Sequence, residues 1–130
     1  MENLRVGVIG DGSWATAIIK LILNNNKSVN WWVRKEEDKK FIMEYGHNPN
    51  YLTSVSFDTE RLNISTDIRT IVGKSDIVFI VVPSAYIKAT LDPLTESDFK
   101  YKIVVSAVKG IIPVDNTIVA NYLNRIFLVD

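Results

Sequence analysis

The sequence predicts an α/β domain built on a doubly wound, mainly parallel sheet with helices on both faces. Segments of strand-like and helix-like pattern alternate along the chain, as they do in successive β-α-β units. Residues 77–82 form a run of six apolar residues of high β-propensity, which is typical of a parallel strand buried on both faces. A glycine-rich turn follows the first predicted strand, where such sheets bind ligands.

The composition limits the possible functions. The 130 residues, of which 47% are hydrophobic, suffice for one domain with its own core. Fifteen basic residues balance fifteen acidic ones, so no net charge favours nucleic acid or an anionic membrane as a partner. With no cysteine and one histidine, disulfides and Cys/His zinc sites are excluded, and no metal is expected. Since neither a secretory leader nor an apolar run of about 18 residues is present, we expect a cytoplasmic protein without a membrane span.

The first strand is predicted over residues 4–9 and leads into Gly-Asp-Gly-Ser-Trp-Ala at 10–15, which has the G-x-G-x-x-A pattern of dinucleotide-binding turns. Gly10 allows a tight exit from the strand, and Gly12 allows a pyrophosphate to approach the backbone. Ala15 allows the next helix to pack near the sheet. The unpaired N–H groups at the start of that helix then face the phosphates, with the positive end of the helix dipole behind them.

The first helix is predicted over residues 13–23 and ends at a run of asparagines. Its predicted sheet-facing residues are Ala15, Ile18, Leu21 and Ile22. The second strand is predicted over residues 29–33, which are rich in β-formers.

Two cations follow the second strand. Arg34 lies 22 residues after Gly12, near the position where NAD-selective sites carry an acidic residue on the ribose. Arg34 and Lys35 suit the 2′-phosphate of NADP instead, because both side chains bind phosphate. Two alternatives stay open, namely that Glu36 and Glu37 turn inward, or that the cluster is a solvated surface. The pattern favours NADP, with NAD tolerated.

A charged amphipathic helix is predicted over residues 36–45. Its predicted buried residues are Phe41, Ile42 and Tyr45. A short third strand is predicted over residues 62–65, followed by a helix that opens with Asp67 and has Ser65 or Thr66 as its cap. Its predicted inward residues are Ile68, Ile71 and Val72.

The loop between these units, at residues 47–52, is rich in asparagine and proline and breaks the preceding helix. The loop is predicted to lie at the surface and to be pinned by Tyr51 and Phe57. His47 is either an ordinary loop residue or a general base, and the lack of a nearby serine or cysteine nucleophile disfavours catalysis.

The fourth strand, at residues 77–82, ends at Pro83 and is followed by a helix predicted over residues 85–91, beside the ligand crevice. A fifth strand is predicted over residues 102–107 as an inner strand of the sheet. Lys109 follows it, at a place where an ammonium group can hold a phosphate or polarise a carbonyl oxygen.

The remaining residues continue the same alternation. A last helix is predicted over residues 113–125, with Ile118, Tyr122 and Leu123 inward, and residues 127–129 resemble the opening of a further strand. Ile111, Ile112 and residues 126–129 are predicted to form an apolar patch.

Four segments, at residues 9–17, 48–52, 81–84 and 106–111, together resemble the bacterial-type glycerol-3-phosphate dehydrogenase family in order and spacing. The Gly-Ser-Trp-Ala turn combined with Lys109-Gly110 is the most specific part of this resemblance. The resemblance implies a Rossmann-type domain of an NAD(P)-dependent enzyme. Such an enzyme interconverts dihydroxyacetone phosphate and sn-glycerol 3-phosphate for phospholipid synthesis.

The resemblance also implies roles for single residues. Ser13, Trp14 and Arg34 match residues that contact the dinucleotide, and Tyr51 lies in a loop expected over its adenosine half. Lys109 matches a residue that touches both cofactor and substrate, which suits substrate positioning. Members of the family continue into a helical domain that carries the main proton-transfer lysine. We therefore expect residues 1–130 to bind dinucleotide with little or no turnover alone, and a homodimer is open for the full-length enzyme.

Three other functions share parts of this pattern. Another NADP-dependent reductase of this fold, of the hydroxyacid or ketopantoate type, is disfavoured by Trp14 and by Lys109-Gly110. A non-catalytic nucleotide sensor stays open. A methyltransferase using S-adenosylmethionine fits poorly, because Arg34 replaces the acidic residue usual on the ribose.

Overall fold

The computed structural model describes residues 4–25 and 28–106, together with the backbone of two short strands near the end of the chain. Its central sheet contains β1 (Val6–Ile9), β2 (Val29–Trp32), β3 (Leu62–Ser65), β4 (Ile77–Ile80) and β5 (Ile103–Ser106). The helices are α1 (Ser13–Asn25), α2 (Glu36–Tyr45), α3 (Ile68–Gly73) and α4 (Ile87–Leu91). Single 3₁₀ turns occupy Thr59–Arg61, Ser84–Tyr86 and Glu96–Phe99.

All neighbouring strands of the central sheet are parallel, in the order β3-β2-β1-β4-β5. The chain adds strands on one side of β1 and then crosses over to add β4 and β5 on the other side. In doubly wound sheets, ligands bind at this reversal, outside the carboxyl ends of the strands. The topology confirms the predicted Rossmann-type fold and places the end of β1 at the candidate site.

Two apolar cores lie on opposite faces of the sheet. One contains residues of α1 and α2 packed on β1 and β2, among them Ala15, Ile19, Ile42, Val8 and Trp31. The other contains residues of α3 and α4 packed on β1 and β4, among them Ile68, Val72, Leu91, Ile9 and Ile80. Helices therefore cover both faces, as predicted.

The phase of two helices differs from the prediction. α1 continues to Asn25, and its buried residues are Ala15, Thr16, Ile19, Ile22 and Leu23. Leu21 is 63% exposed, so its predicted orientation is wrong, whereas Ile18 is half-buried and packs against the core on this face of the sheet. In α2 only Ile42 is buried. Tyr45 is 59% exposed, so its predicted burial is wrong, and its ring packs on that of half-buried Phe41 with centroids 4.6 Å apart.

The cap of α3 also differs from the prediction. The Asp67 carboxylate accepts a hydrogen bond from the Arg69 N–H at 3.1 Å, so Asp67 is the cap rather than Ser65 or Thr66. The Ser65 hydroxyl instead accepts from the Asp67 N–H at 2.9 Å. The predicted inward residues of this helix are confirmed, and they are Ile68, Ile71 and Val72.

The region after β4 is more divided than predicted. β4 ends at Ile80, although Val81 and Val82 stay buried, and a 3₁₀ turn precedes α4 where one helix was expected over residues 85–91. Within the described residues β5 forms an edge of the sheet, with Ile103 and Val105 exposed, so the expectation of an inner strand is not met there.

Two short strands, β6 (Ile111–Ile112) and β7 (Thr117–Ile118), pair antiparallel. The predicted helix over residues 113–125 is therefore wrong at Thr117–Ile118, where β-branched residues favour an extended backbone. The rest of that helix and the strand at residues 127–129 lie outside the described residues. In the described part of the chain, no helix combines the length and apolar character that crossing a membrane requires.

Candidate dinucleotide-binding site

The two glycines of the turn after β1 face different surroundings. Gly10 has a φ of +135°, and a Cβ built on it would lie 2.1 Å from the Val81 carbonyl oxygen. The fold itself therefore requires glycine there. A Cβ on Gly12 would meet nothing within 4 Å. The space beside Gly12 is open, as close approach of a ligand to the backbone requires.

Side chains from neighbouring elements hold the first two carbonyl groups of this turn. The Trp31 indole Nε1–H, on β2, donates to the Gly10 carbonyl at 2.6 Å. The Asn48 amide Nδ2–H donates to the Asp11 carbonyl at 3.0 Å. Both donor side chains are buried, which fixes the hydrogen bonds in a protected environment.

The third carbonyl, that of Gly12, accepts from Thr16 twice, from its backbone N–H at 3.0 Å and from its hydroxyl at 2.7 Å. A trans peptide points its N–H opposite to its C=O. The N–H groups of Asp11, Gly12 and Ser13 therefore point away from the donors that hold the carbonyls. Within residues 4–25 and 28–106 these three N–H groups have no hydrogen-bond acceptor.

Ser13, which carries the last of these N–H groups, and Trp14 begin the first turn of α1. Both are exposed, and the Trp14 side chain is 73% exposed. The start of a 13-residue helix brings the positive end of its dipole to this point, where no acidic residue occupies the first turn. The turn thus offers backbone donors and an uncovered indole side by side.

Arg34 lies next to the turn because its backbone N–H donates to the Asp11 carboxylate at 3.1 Å. This bond links the end of β2 to the glycine turn. The Arg34 guanidinium is exposed and forms no hydrogen bond or ion pair with any other residue in the described part of the chain.

The neighbours of Arg34 are engaged with one another. Lys35 and Glu37 form an exposed ion pair at 3.9 Å. Glu36 accepts from the Thr66 hydroxyl at 3.2 Å and lies 3.9 Å from the Lys39 ammonium. Among the four charged residues at positions 34–37, the structure leaves the guanidinium of Arg34 available for an anion.

The loop at residues 47–52 reaches the turn through Asn48, whose side chain is 2% exposed. The Asn48 Oδ1 accepts from the N–H groups of Asn50 and Tyr51, at 2.8 and 3.1 Å. Tyr51 is therefore held on a loop beside the turn, with its ring exposed. Phe57, expected to pin this loop together with Tyr51, lies buried against Trp31, with ring centroids 5.6 Å apart.

His47 packs its ring edge-on to Phe41 at 5.1 Å, and its Nδ1 lies 3.1 Å from the Asn48 carbonyl oxygen. These contacts are those of an ordinary loop histidine.

Lys109, predicted to touch cofactor and substrate, lies outside the described residues. The supporting roles of Trp31, Asn48 and Thr16 were not predicted, because the burial and the hydrogen bonds that define these roles are seen only in the structure.

Comparison with known proteins gives the family. The sequence model of the protein family described as NAD-dependent glycerol-3-phosphate dehydrogenase N-terminus matches residues 5–129 of this chain. The chain belongs to this family. The glycerol-3-phosphate dehydrogenase [NAD(P)+] of Halothermothrix orenii is 33% identical over 125 residues, which cover 93% of this chain and 36% of the relative. That of Malacoplasma penetrans is 31% identical over 125 residues, with the same coverage.

Solved structures show the same fold. The glycerol-3-phosphate dehydrogenase of Saccharomyces cerevisiae superposes with a TM-score of 0.84 at 22% identity, covering 97% of this chain and 40% of that one. The chain thus spans little more than a third of the length of the glycerol-3-phosphate dehydrogenases it matches.

Proposed function

We propose that this chain is the dinucleotide-binding part of an enzyme that interconverts dihydroxyacetone phosphate and sn-glycerol 3-phosphate. The observation that carries the proposal is the glycine turn, where three successive N–H groups without described acceptors border the open space beside Gly12. A pyrophosphate group suits these donors and the helix dipole behind them. Ser13 and Trp14 then lie against the dinucleotide, and Tyr51 lies beside its adenosine half.

The preferred coenzyme is NADPH. Arg34 is tied to the turn by its backbone, and its guanidinium is available to an anion. The 2′-phosphate distinguishes NADP from NAD at the end of β2. One hydrogen bond to a charged group contributes about 1.5–3 kcal/mol, so a single contact favours NADPH about tenfold or more. Lys35 contributes less, because it already pairs with Glu37.

The substrate chemistry rests on Lys109 and on residues of the longer enzyme. A reduced nicotinamide coenzyme held at this turn would supply the hydride that reduces the substrate ketone carbon, and would itself be oxidised. Lys109 holds the substrate and stabilises the negative charge that develops on its oxygen. The main proton-transfer lysine belongs to the helical domain of family members. Glycerol 3-phosphate formed in this way supplies glycerophospholipid synthesis in the cytoplasm, and the full-length enzyme acts as a homodimer.

Calorimetric titration with NADPH and NADH tests the coenzyme preference. In Arg34→Ala the affinity for NADPH falls about tenfold or more, and the affinity for NADH stays within about twofold. Lys35→Ala is the matched control, since it removes an adjacent cation that is engaged with Glu37. Lys35→Ala lowers the affinity for NADPH by less than Arg34→Ala does. Equal losses for both coenzymes in Arg34→Ala contradict the preference, and no binding of either coenzyme by the wild type contradicts the dinucleotide site.

Activity is expected only in the longer enzyme. Hydride transfer requires the substrate carbonyl to be held against the nicotinamide ring. In family members, residues of the dinucleotide-binding domain and of the helical domain together are expected to hold it there. An assay of NADPH oxidation with dihydroxyacetone phosphate therefore gives little or no turnover for residues 1–130. Turnover comparable to that of a full-length family member contradicts this expectation.

A further inference from the structure

We propose that Asn48 is a positioning residue of the phosphate turn, because it fixes the peptide that presents the Gly12 N–H to the pyrophosphate. The inference rests on the proposed function, in which this turn binds a dinucleotide. Asn48 itself is 2% exposed and touches the turn from within the protein. It acts on the ligand through the backbone and does not contact it.

The Asn48 side chain is fully engaged. Its Nδ2 donates to the Asp11 carbonyl and to the Thr16 hydroxyl, both at 3.0 Å. Its Oδ1 accepts from the backbone N–H groups of Asn50 and Tyr51. Only an amide combines two donors with an acceptor in so short a side chain. The glycine turn and the Tyr51 loop are thus held by one buried group.

The Asp11–Gly12 peptide needs such a support. Asp11 stands between two glycines, whose backbones have a wider choice of conformation than those of other residues. Rotation of that peptide would exchange the directions of its carbonyl and of the Gly12 N–H. Asn48 stabilises the orientation in which the carbonyl faces the protein. A carbonyl turned outward would instead repel a phosphate.

The test compares Asn48→Asp with Asn50→Asp as its matched control. The Asn48→Asp change keeps the shape of the side chain and removes the two N–H donors. It retains an acceptor for the N–H groups of Asn50 and Tyr51 and adds one negative charge. Asn50→Asp adds the same charge in the same loop, on an exposed side chain.

The probes are ADP, which has a pyrophosphate and no 2′-phosphate, and adenosine 2′-monophosphate, which has a 2′-phosphate and no pyrophosphate. In Asn48→Asp the affinity for ADP and NADPH falls about tenfold or more, and that for adenosine 2′-monophosphate stays within about twofold. Asn50→Asp leaves all three within about twofold of the wild type. A loss in Asn48→Asp that is equal for both mononucleotides indicates general loosening of the fold and overturns the inference.

Thr16→Val provides a second test without a buried charge. It removes the hydroxyl that accepts from Asn48 and donates to Gly12, and we expect a loss of about threefold for ADP. If the wild type binds ADP and neither Asn48→Asp nor Thr16→Val loses affinity for it, the inference about Asn48 is overturned while the proposed function stands. If the wild type binds neither ADP nor NADPH, the proposed function fails and the inference fails with it.

Discussion

Gly10 and Gly12 stand two positions apart and respond differently to the same substitution. At Gly10, alanine meets both a positive φ and a Cβ position 2.1 Å from the Val81 carbonyl oxygen. An unfavourable backbone conformation alone costs about 1–3 kcal/mol, and the overlap adds to it. Gly10→Ala therefore lowers the free energy of unfolding by about 3 kcal/mol or more, measured by urea denaturation.

Gly12→Ala is the companion experiment at the residue scale. Its Cβ has open space and its φ is not in the left-handed region, so the free energy of unfolding changes by less than about 1 kcal/mol. In the proposed site the added methyl group would occupy the space through which the pyrophosphate approaches the backbone, so we expect the NADPH affinity to fall. A stable Gly12→Ala variant that binds NADPH as the wild type does would mean that the ligand lies elsewhere.

At the element scale, α3 depends on the residue that caps it. The Asp67 carboxylate accepts from the Arg69 N–H and from the Thr70 hydroxyl, both at 3.1 Å. Asp67→Ala removes this cap and lowers the free energy of unfolding by about 1 kcal/mol, while Asp67→Asn keeps an acceptor and loses less. Thermal denaturation of both variants checks this order, and equal stability of Asp67→Ala and the wild type contradicts it.

Local sequence predicts the limits of helices and strands better than it predicts which of their residues are buried. α2 and β3 have the predicted limits, since charged and polar neighbours delimit their patterns. An inward Leu21 or Tyr45 fits the helical period, but only the neighbouring elements decide which stripe of a helix is covered. The antiparallel pair that includes Thr117–Ile118 depends on contact with Ile111–Ile112, which no helix pattern reveals.

The candidate site also has a part that the sequence predicts and a part that it does not. The glycine turn and Arg34 follow from spacing along the chain, because strand, turn and helix are consecutive. Trp31 and Asn48, which hold the turn, come from 21 and 37 residues away in sequence from the carbonyls they contact. Such partners are defined by the packing of β2 and of a loop, so the sequence alone does not identify them.

At the scale of the whole molecule, Arg5 and Asp76 link the starts of β1 and β4. The Arg5 guanidinium lies 3.1 Å from the Asp76 carboxylate, and the Arg5 backbone N–H donates to it at 2.8 Å. The hydrogen bonds from the Arg5 side chain and backbone hold the pKa of Asp76 below its usual range. A pKa that is lower in the folded than in the unfolded state stabilises the fold above the unfolded pKa.

That stabilisation is present above about pH 4 and is lost as the pH falls through the lower pKa of the folded state. In urea denaturation, the stability advantage of the wild type over Asp76→Asn therefore shrinks between about pH 5 and pH 3. Asp92→Asn, at an exposed carboxylate without a hydrogen-bond partner in the described residues, serves as the control. An advantage over Asp76→Asn that is constant across this range contradicts the stabilising role of the Arg5–Asp76 pair.

Amide NMR during titration with NADPH locates the bound dinucleotide on the whole molecule in a single experiment. We predict that the backbone N–H signals of Asp11, Gly12 and Ser13 shift together and saturate at one affinity, along with those around Arg34. Arg5 and Lys74, which lie near the amino ends of β1 and β4, are at the opposite end of the strands from the glycine turn and serve as the internal reference. Saturating shifts at Arg5 and Lys74, with the three turn signals unchanged, would contradict a dinucleotide site on the glycine turn.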